Sequence, residues 1–294
     1  MTRLTGVELD GTIYDVGDGG TLTARATPDP TPDPDPPAGG RQLSVYIKMW
    51  RSRLPRLSAV PAPVNELRLA FLQGSPPALP GWGSQDEAGV IADCRTLRGR
   101  GVAVTASVGG KDGRIDTRSR DAFVRGVAAL HARIGLDRID WDVEASALRA
   151  DDVLAISQTL HDQHGISCTM APNGSNVSTY LPVAVELYRR GLLVAYGQQF
   201  YDAVVLLGTP DPRNTGTAMG RIAQAVKSGL PPSVIQVGMM VDSDSRHWTI
   251  DTCVSHMTAI AREWPDIGGA YLWSENHSEV AEWARRVGAV LGMA

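Results

Sequence analysis

Residues 121–146 read DAFVRGVAALHARIGLDRIDWDVEAS. The first half, DAFVRGVAALHARIG, has the apolar spacing of an amphipathic helix, and Gly135 follows its end as a C-cap residue would. The second half changes period. Ile139, Trp141 and Val143 alternate with Asp140, Asp142 and Glu144, the two-residue period of a strand. A helix that hands over to a short strand is the repeating unit of an α/β protein.

The same rhythm runs through the chain after Gly40. Strands are expected at Leu43–Met49, Leu67–Gln73, Val102–Val108, Arg138–Glu144, Ser167–Ala171, Leu193–Phe200, Val234–Met240 and Ala270–Trp273. Helices are expected at Gln85–Arg98, Thr117–Arg133, Ala150–Gln163, Val177–Arg189, Thr215–Lys227, Ile250–Glu263 and Ser278–Leu291. SRLPRLSAVPAPVN, after the first strand, is broken by proline and reads as loop. Alternating strands and helices imply a parallel sheet, and eight such units in about 250 residues imply a (β/α)8 TIM barrel. An open doubly wound sheet is the alternative. It would open on a glycine-rich first turn, and YIKMWRSR after the first strand has none.

Composition narrows the function. Of 294 residues, 43% are hydrophobic and 20% charged, as in globular proteins. A net charge of -4 without a basic stripe argues against a nucleic-acid partner. No apolar run reaches the roughly 18 residues of a membrane span, so no membrane partner is expected. Three cysteines, Cys94, Cys168 and Cys253, are far apart and form neither a disulfide framework nor a zinc knuckle. The first residues, MTRLTGVELDGTIYDVGDGG, have no apolar core of signal-peptide length. That leaves localisation open among the cytoplasm, another export route and a place in a larger particle such as a virion.

The N-terminal region differs from the rest. ATPDPTPDPDPPAGG, residues 26–40, is a proline- and aspartate-rich linker. Before it, in residues 1–25, Asp10-Gly11 and Gly19-Gly20 sit between alternating apolar residues and suggest short hairpins. That segment is too small to hold a core alone, so an assembly partner is expected for it. Residues 41–294 then make up the barrel.

The acids carry the chemistry. Asp137, Asp140, Asp142 and Glu144 crowd into one short segment. The last three are spaced by two, so they share one face of the strand, and Ile139, Trp141 and Val143 share the other. In a barrel the acids point into the lumen and climb toward the C-terminal mouth, where barrel active sites lie, with Glu144 outermost. Asp137 starts the strand and reads as structural. A solvated edge strand is the competing reading, but it would not alternate its acids with Ile, Trp and Val. Carboxylates this close retain at least one proton, and a protonated carboxyl near neutral pH is what a general acid requires. No histidine lies in the strand and the six in the chain show no ligand spacing, so no metal and no cofactor are expected.

DRIDWDVE, residues 137–144, resembles the DGxDxDxE signature of glycoside hydrolase family 18, the chitinases and endo-β-N-acetylglucosaminidases, with Arg138 in place of the usual glycine. Five further segments match in family order: LRLAFLQG (67–74), VTASVGG (104–110), TMAPNG (169–174), GQQFYDA (197–203) and GGAYLWSEN (268–276). The resemblance spans Leu43 to Asn276 and leaves the N-terminal 40 residues uncovered.

The resemblance implies a retaining, substrate-assisted hydrolysis of β-1,4 links to N-acetylglucosamine, in which the 2-acetamido oxygen attacks the anomeric carbon. It implies roles by position. Glu144 is the general acid and then the base. Asp142 orients the acetamido group, and Asp140 tunes Asp142 by sharing a proton. Tyr201 bonds the acetamido carbonyl. Gln199 shares its face, and Asp202 contacts sugar hydroxyls. Trp273 floors the sugar pocket, with Tyr46 and Phe71 near that sugar. Ser107 bonds the deep aspartate, Gly109 and Gly110 allow close backbone passage, and Met170 lines the pocket. Many family members insert an α+β module after the seventh strand. Only VDSDSRHWT, residues 241–249, stands there, which predicts a shallow, open cleft. The expected partner is therefore an N-acetylglucosamine-containing oligo- or polysaccharide. Endo-chitinase, endo-β-N-acetylglucosaminidase, phage tail-associated hydrolase and non-catalytic lectin-like barrel are the readings carried forward.

Overall fold

The computed structural model describes residues 7–9, 12–16, 22–24, 40–51, 56–81, 86–111, 116–144, 148–201, 206–241, 248–273 and 277–293, with backbone alone for 7–24, 277 and 278. The chain divides into two units, Met1–Asp35 and Pro36–Ala294. In the first, β1 (Val7–Leu9), β2 (Thr12–Val16) and β3 (Leu22–Ala24) form an antiparallel sheet in that order. Leu9 pairs with Thr12, and Val16 with Leu22, so the strands on either side of each glycine pair are hairpin partners.

The second unit is a closed eight-stranded parallel barrel. Its strands are β4 (Gln42–Lys48), β5 (Glu66–Leu72), β6 (Ala103–Gly109), β7 (Arg138–Asp142), β8 (Ser167–Met170), β9 (Leu193–Gln199), β10 (Ile235–Met240) and β11 (Gly269–Trp273). The helices are α1 (Glu87–Gly99), α2 (Arg120–Ile134), α3 (Ala150–His164), α4 (Val177–Arg189), α5 (Ala218–Lys227), α6 (Ile250–Glu263) and α7 (His277–Val290). The first strand is followed by a single 3-10 turn at Leu57–Ala59 instead of a helix, in the proline-broken segment. The TIM barrel expected from the alternating pattern is thus the observed fold. β10 runs to α6 without room for an inserted module.

Side-chain alternation sorts each strand into two environments. One face packs outward on the helices: Leu43, Val45, Leu67, Leu69, Val104, Ala106, Ile139 and Trp141 all lie in the buried apolar layer. Trp141 anchors β7 there. Its ring stacks on Phe123 of α2, with centroids 5.6 Å apart, and its Nε1 donates to Ser157 Oγ of α3 at 2.9 Å. Gly135 ends α2 at φ 72°, a left-handed cap that turns the chain straight into β7.

The opposite face fills the lumen with polar groups. Ser44, Glu66, Arg68, Thr105, Ser107, Asp140, Thr169 and Gln236 are fully buried. Barrel interiors are usually packed with branched apolar residues. A polar interior is tolerated only when its groups pair with one another. Glu66 accepts from Ser44 (2.5 Å), Thr105 (2.7 Å), Arg68 (2.9 and 3.0 Å) and Arg138 (3.1 Å). The floor of the barrel is therefore a set of ion pairs and hydrogen bonds on which the candidate acids stand.

Candidate active site

Asp140, Asp142 and Glu144 climb out of this floor along β7. Asp140 and Asp142 are buried, and Glu144 is half-buried at the mouth. The regular strand ends at Asp142, two residues short of the expected Glu144, because β8 stops at Met170 and the ladder becomes irregular. Val143 still donates its N–H to Ala171 O at 3.2 Å, and Asn173 N donates to Val143 O at 3.2 Å. The Glu144 carbonyl accepts from Asn176 Nδ2 at 2.9 Å, at the start of α4. The outermost acid is thus carried on a held extension of the strand.

Asp140 is surrounded by donors. Tyr46 Oη (2.8 Å) and Ser107 Oγ (2.7 Å) donate to its Oδ2, and Thr169 Oγ1 (2.6 Å) to its Oδ1. Arg68 Nη1 stands 3.5 Å from Oδ1. Asp142 has a different neighbourhood. Gln199 Nε2 donates to its Oδ1 at 2.7 Å. Burial, then the charges of Glu144 and Asp140, push the Asp142 carboxyl well above the usual carboxylate range, against the pull of Arg68 and Gln199. Asp142 therefore binds a proton more readily than an ordinary aspartate does.

Three tyrosines ring the acids: Tyr46, Tyr201 and Tyr271. Burial is the main cause that raises all three hydroxyls well above the ordinary tyrosine range, so they remain protonated donors. Tyr201 meets Tyr271 edge-on, with centroids 6.5 Å apart at 90°. Tyr271 fills space that glycine leaves open, since a Cβ at Gly197 or Gly238 would collide with its ring.

Above the acids lies a cleft of about 440 Å³ lined by Trp50, Phe71, Gln73, Gly109, Lys111, Glu144 and Trp273 among others. Phe71 and Trp273 lie nearly parallel (5.6 Å, 20°), and Trp50 packs against both, 5.9 Å and 18° from Phe71 and 6.4 Å and 38° from Trp273, so the three rings form a compact cluster. Lys48 Nζ lies 4.6 Å from the Trp273 ring centroid. The β5–β6 register shifts between Leu69 and Leu72, which breaks strict alternation where Phe71 joins the mouth. Gly109 and Gly110 have φ of 111° and 71° and pass so close to the Asp142 carbonyl and the Phe71 ring that neither position has room for a Cβ.

Of the expected site residues, Asp140, Asp142, Glu144, Gln199, Ser107, Tyr46, Tyr201, Phe71 and Trp273 converge on this cleft and its floor. Met170 does not. It pairs in register with Trp141, whose face packs on the helices, and belongs to the apolar layer, while its neighbour Thr169 takes the lumen side. Asp202 lies outside the described residues. Sequence reading passed over Arg68, Glu66, Thr169, Asn176 and Trp50. Glu66 and Arg68 had a signal, two charges spaced by two on a strand beside Leu67 and Leu69.

Comparison with known proteins agrees with this fold. No family model matches the chain. A curated relative, "Probable class II chitinase" of Arthroderma benhamiae, is 28% identical over 180 residues, which are 48% of this chain and 54% of the relative. The chain thus spans about half the length of the curated relative it matches. A family GH18 chitinase from Chromobacterium violaceum superposes with a TM-score of 0.69 at 20% identity, over 99% of this chain and 97% of that one. A fungal endo-β-N-acetylglucosaminidase of glycosyl hydrolase family 18 does so with a TM-score of 0.67 at 18% identity, over 85% and 98%. A xylanase–α-amylase inhibitor protein also shares the fold, with a TM-score of 0.65 at 16% identity over 85% and 98%. The resemblance to glycoside hydrolase family 18 read from the motifs is borne out by a sequence relative and by solved folds.

Proposed function

We propose that this chain is a family 18 glycosidase that cuts β-1,4 links to N-acetylglucosamine by substrate assistance. The observation that carries the reading is the graded acid ladder. Asp140 is buried among donors, Asp142 is buried and proton-retaining, and Glu144 stands at the cleft. A general acid and an acetamido-orienting carboxyl need those two environments side by side.

In this mechanism the sugar before the cut lies on Trp273, whose flat face suits a pyranose. The acetamido oxygen attacks C1, and the C1–O bond breaks. The leaving oxygen takes the proton of Glu144. Asp142, which passes its retained proton to Glu144 as the sugar binds, is then a carboxylate that accepts the acetamido N–H and offsets the charge of the oxazolinium, and Tyr201 donates to the acetamido oxygen. Glu144, now a carboxylate, then takes a proton from water as that water adds to C1 and the bond between C1 and the acetamido oxygen breaks, which frees the acetamide and restores the β-configuration. The Trp50, Phe71 and Trp273 cluster gives the cleft an aromatic wall suited to a sugar face. An open cleft without a walling module favours internal cleavage.

The test is a panel of chitin oligomers, a high-mannose glycopeptide and bacterial cell-wall glycan, each with a Glu144→Gln control. Cleavage of a chitin oligomer that Glu144→Gln loses supports the endo-chitinase reading. Cleavage of the glycopeptide alone assigns the endo-β-N-acetylglucosaminidase reading, and cleavage of cell-wall glycan alone favours a cell-surface hydrolase. If none is cut, the hydrolase reading fails and the lectin-like alternative stands.

A further inference from the structure

The mechanism above uses the upper two acids and leaves the ionic floor unexplained. Arg68 is fully buried on β5, directly beneath them. Its Nε and Nη2 donate to Glu66 Oε2 at 3.0 and 2.9 Å, and Nη2 also donates to Gln236 Oε1 at 2.6 Å. Nη1 donates to Tyr46 Oη at 3.1 Å and faces Asp140 Oδ1. Its plane is flanked by the rings of Tyr46 and Tyr271, 5.3 and 5.2 Å from the guanidinium carbon. Every side of the guanidinium is engaged, so it cannot turn away.

The Tyr46 bond sets a direction. Arg68 has no acceptor, so Tyr46 Oη receives from it and must send its own proton to Asp140. Asp140 then receives from Tyr46, Ser107 and Thr169 and faces a cation. These contacts stabilise the carboxylate form of Asp140. We infer that Arg68, braced by Glu66, is a positioning residue that fixes Asp140 as an anion and so confines the retained proton to Asp142 and Glu144. The family resemblance implies a proton shared between Asp140 and Asp142. Here the proton is held on the outer pair, next to the leaving oxygen that needs it.

The titratable and charged groups that face this centre are Tyr46 on β4, Glu66 on β5, Arg138, Asp140 and Asp142 on β7 and Tyr271 on β11. Arg138 also binds Glu66, which leaves Glu66 charged when Arg68 is replaced. The two members of the clamp therefore act with opposite sign. Loss of the Arg68 cation raises the affinity of the acids for protons, and loss of the Glu66 anion lowers it.

The inference rests on the proposed function for its kinetic arm, and a second arm is independent of it. The kinetic arm is the pH profile of kcat/KM on a chromogenic chitobioside. Arg68→Gln is expected to move the profile to higher pH by about one unit, and Glu66→Gln to lower pH. Arg68→Lys, which keeps the charge, is expected to leave it near the native position. A merely structural role would lower activity or stability without moving the two profiles in opposite directions. The second arm is a carboxyl ¹³C NMR titration of aspartate-labelled protein, with Asp140→Asn and Asp142→Asn for assignment. Asp142 is expected to titrate above the ordinary aspartate range, higher still in Arg68→Gln and lower in Glu66→Gln. An Asp142 titration that Arg68→Gln and Glu66→Gln leave unmoved, or profiles that stay still or move together, would overturn the inference. If Arg68→Gln does not fold, Glu66→Gln and the native titration decide. A native protein that cuts nothing defeats the proposed function alone, because the titration still tests the clamp.

Discussion

Gln199 Nε2 donates to Asp142 Oδ1 at 2.7 Å, and the other end of that amide, Oε1, has no hydrogen-bond partner among the described residues. One side chain from β9 therefore fixes the middle acid and leaves a buried acceptor inside the site. The bond favours the charged form of Asp142, against burial and the charges of Glu144 and Asp140.

Gln199→Leu removes that donor. The Asp142 carboxyl then rises further, and the pH profile of kcat/KM is expected to move to higher pH by about one unit. The check is the profile itself, measured beside the native protein. A profile that falls in height without moving would show that Gln199 holds shape and not charge.

Asp142 also links pH to stability. Its carboxyl is raised in the folded protein, so the folded state binds more protons than the unfolded one. Stability is lost as pH rises from the unfolded aspartate range, near pH 4, through the raised folded value. Asp142→Asn is free of that cost. It is expected to melt above the native protein at pH 8, with the gap closing toward pH 4, while its activity is lost. Glu66 has the opposite sign. Burial works against its charge, but Arg68 and Arg138 outweigh it and hold the carboxyl down to about 2, so its contribution is present at neutral pH and fades only in strong acid.

Trp50 is 46% exposed and packs on Phe71 and Trp273 at the mouth of the cleft. Trp50→Ala is expected to change stability by less than about 0.5 kcal/mol. It should raise KM for long oligomers about three- to tenfold with little change for the shortest substrate. Thermal melts and a chain-length series of kinetics read both. An unchanged KM at every length would place Trp50 outside the sugar path.

Trp141 gives the contrasting case, on the outer face of the strand that carries the acids. Trp141→Ala removes the Phe123 stack and the Ser157 bond and is expected to cost about 3–5 kcal/mol in chemical denaturation.

How much of this was legible in the sequence follows from period. The two-residue alternation of β7 placed Trp141 outward and the acids inward, because a buried apolar face and an ionic face cannot exchange without a slip of the whole strand. Helix ends marked by Gly135 were equally readable, since a left-handed cap needs a specific residue. Glu144 was read as the last strand residue, but it lies beyond the ladder and is held by Asn176, a contact across 32 positions that no local pattern reports. Met170 shows the same limit from the other side. A motif match placed it in the pocket, whereas register with Trp141 turned it to the helices. The Glu66–Arg68 floor was hidden because its meaning depends on partners from β4, β7 and β10.

The central claim is that Glu144 and Asp142 work through the substrate's acetamido group. The most direct measurement is the anomeric configuration of the first product from a chitin oligomer, followed by ¹H NMR within the first minutes. The account predicts the β-anomer at the new reducing end, ahead of mutarotation, and no product from Glu144→Gln. An α-anomer formed first would contradict it.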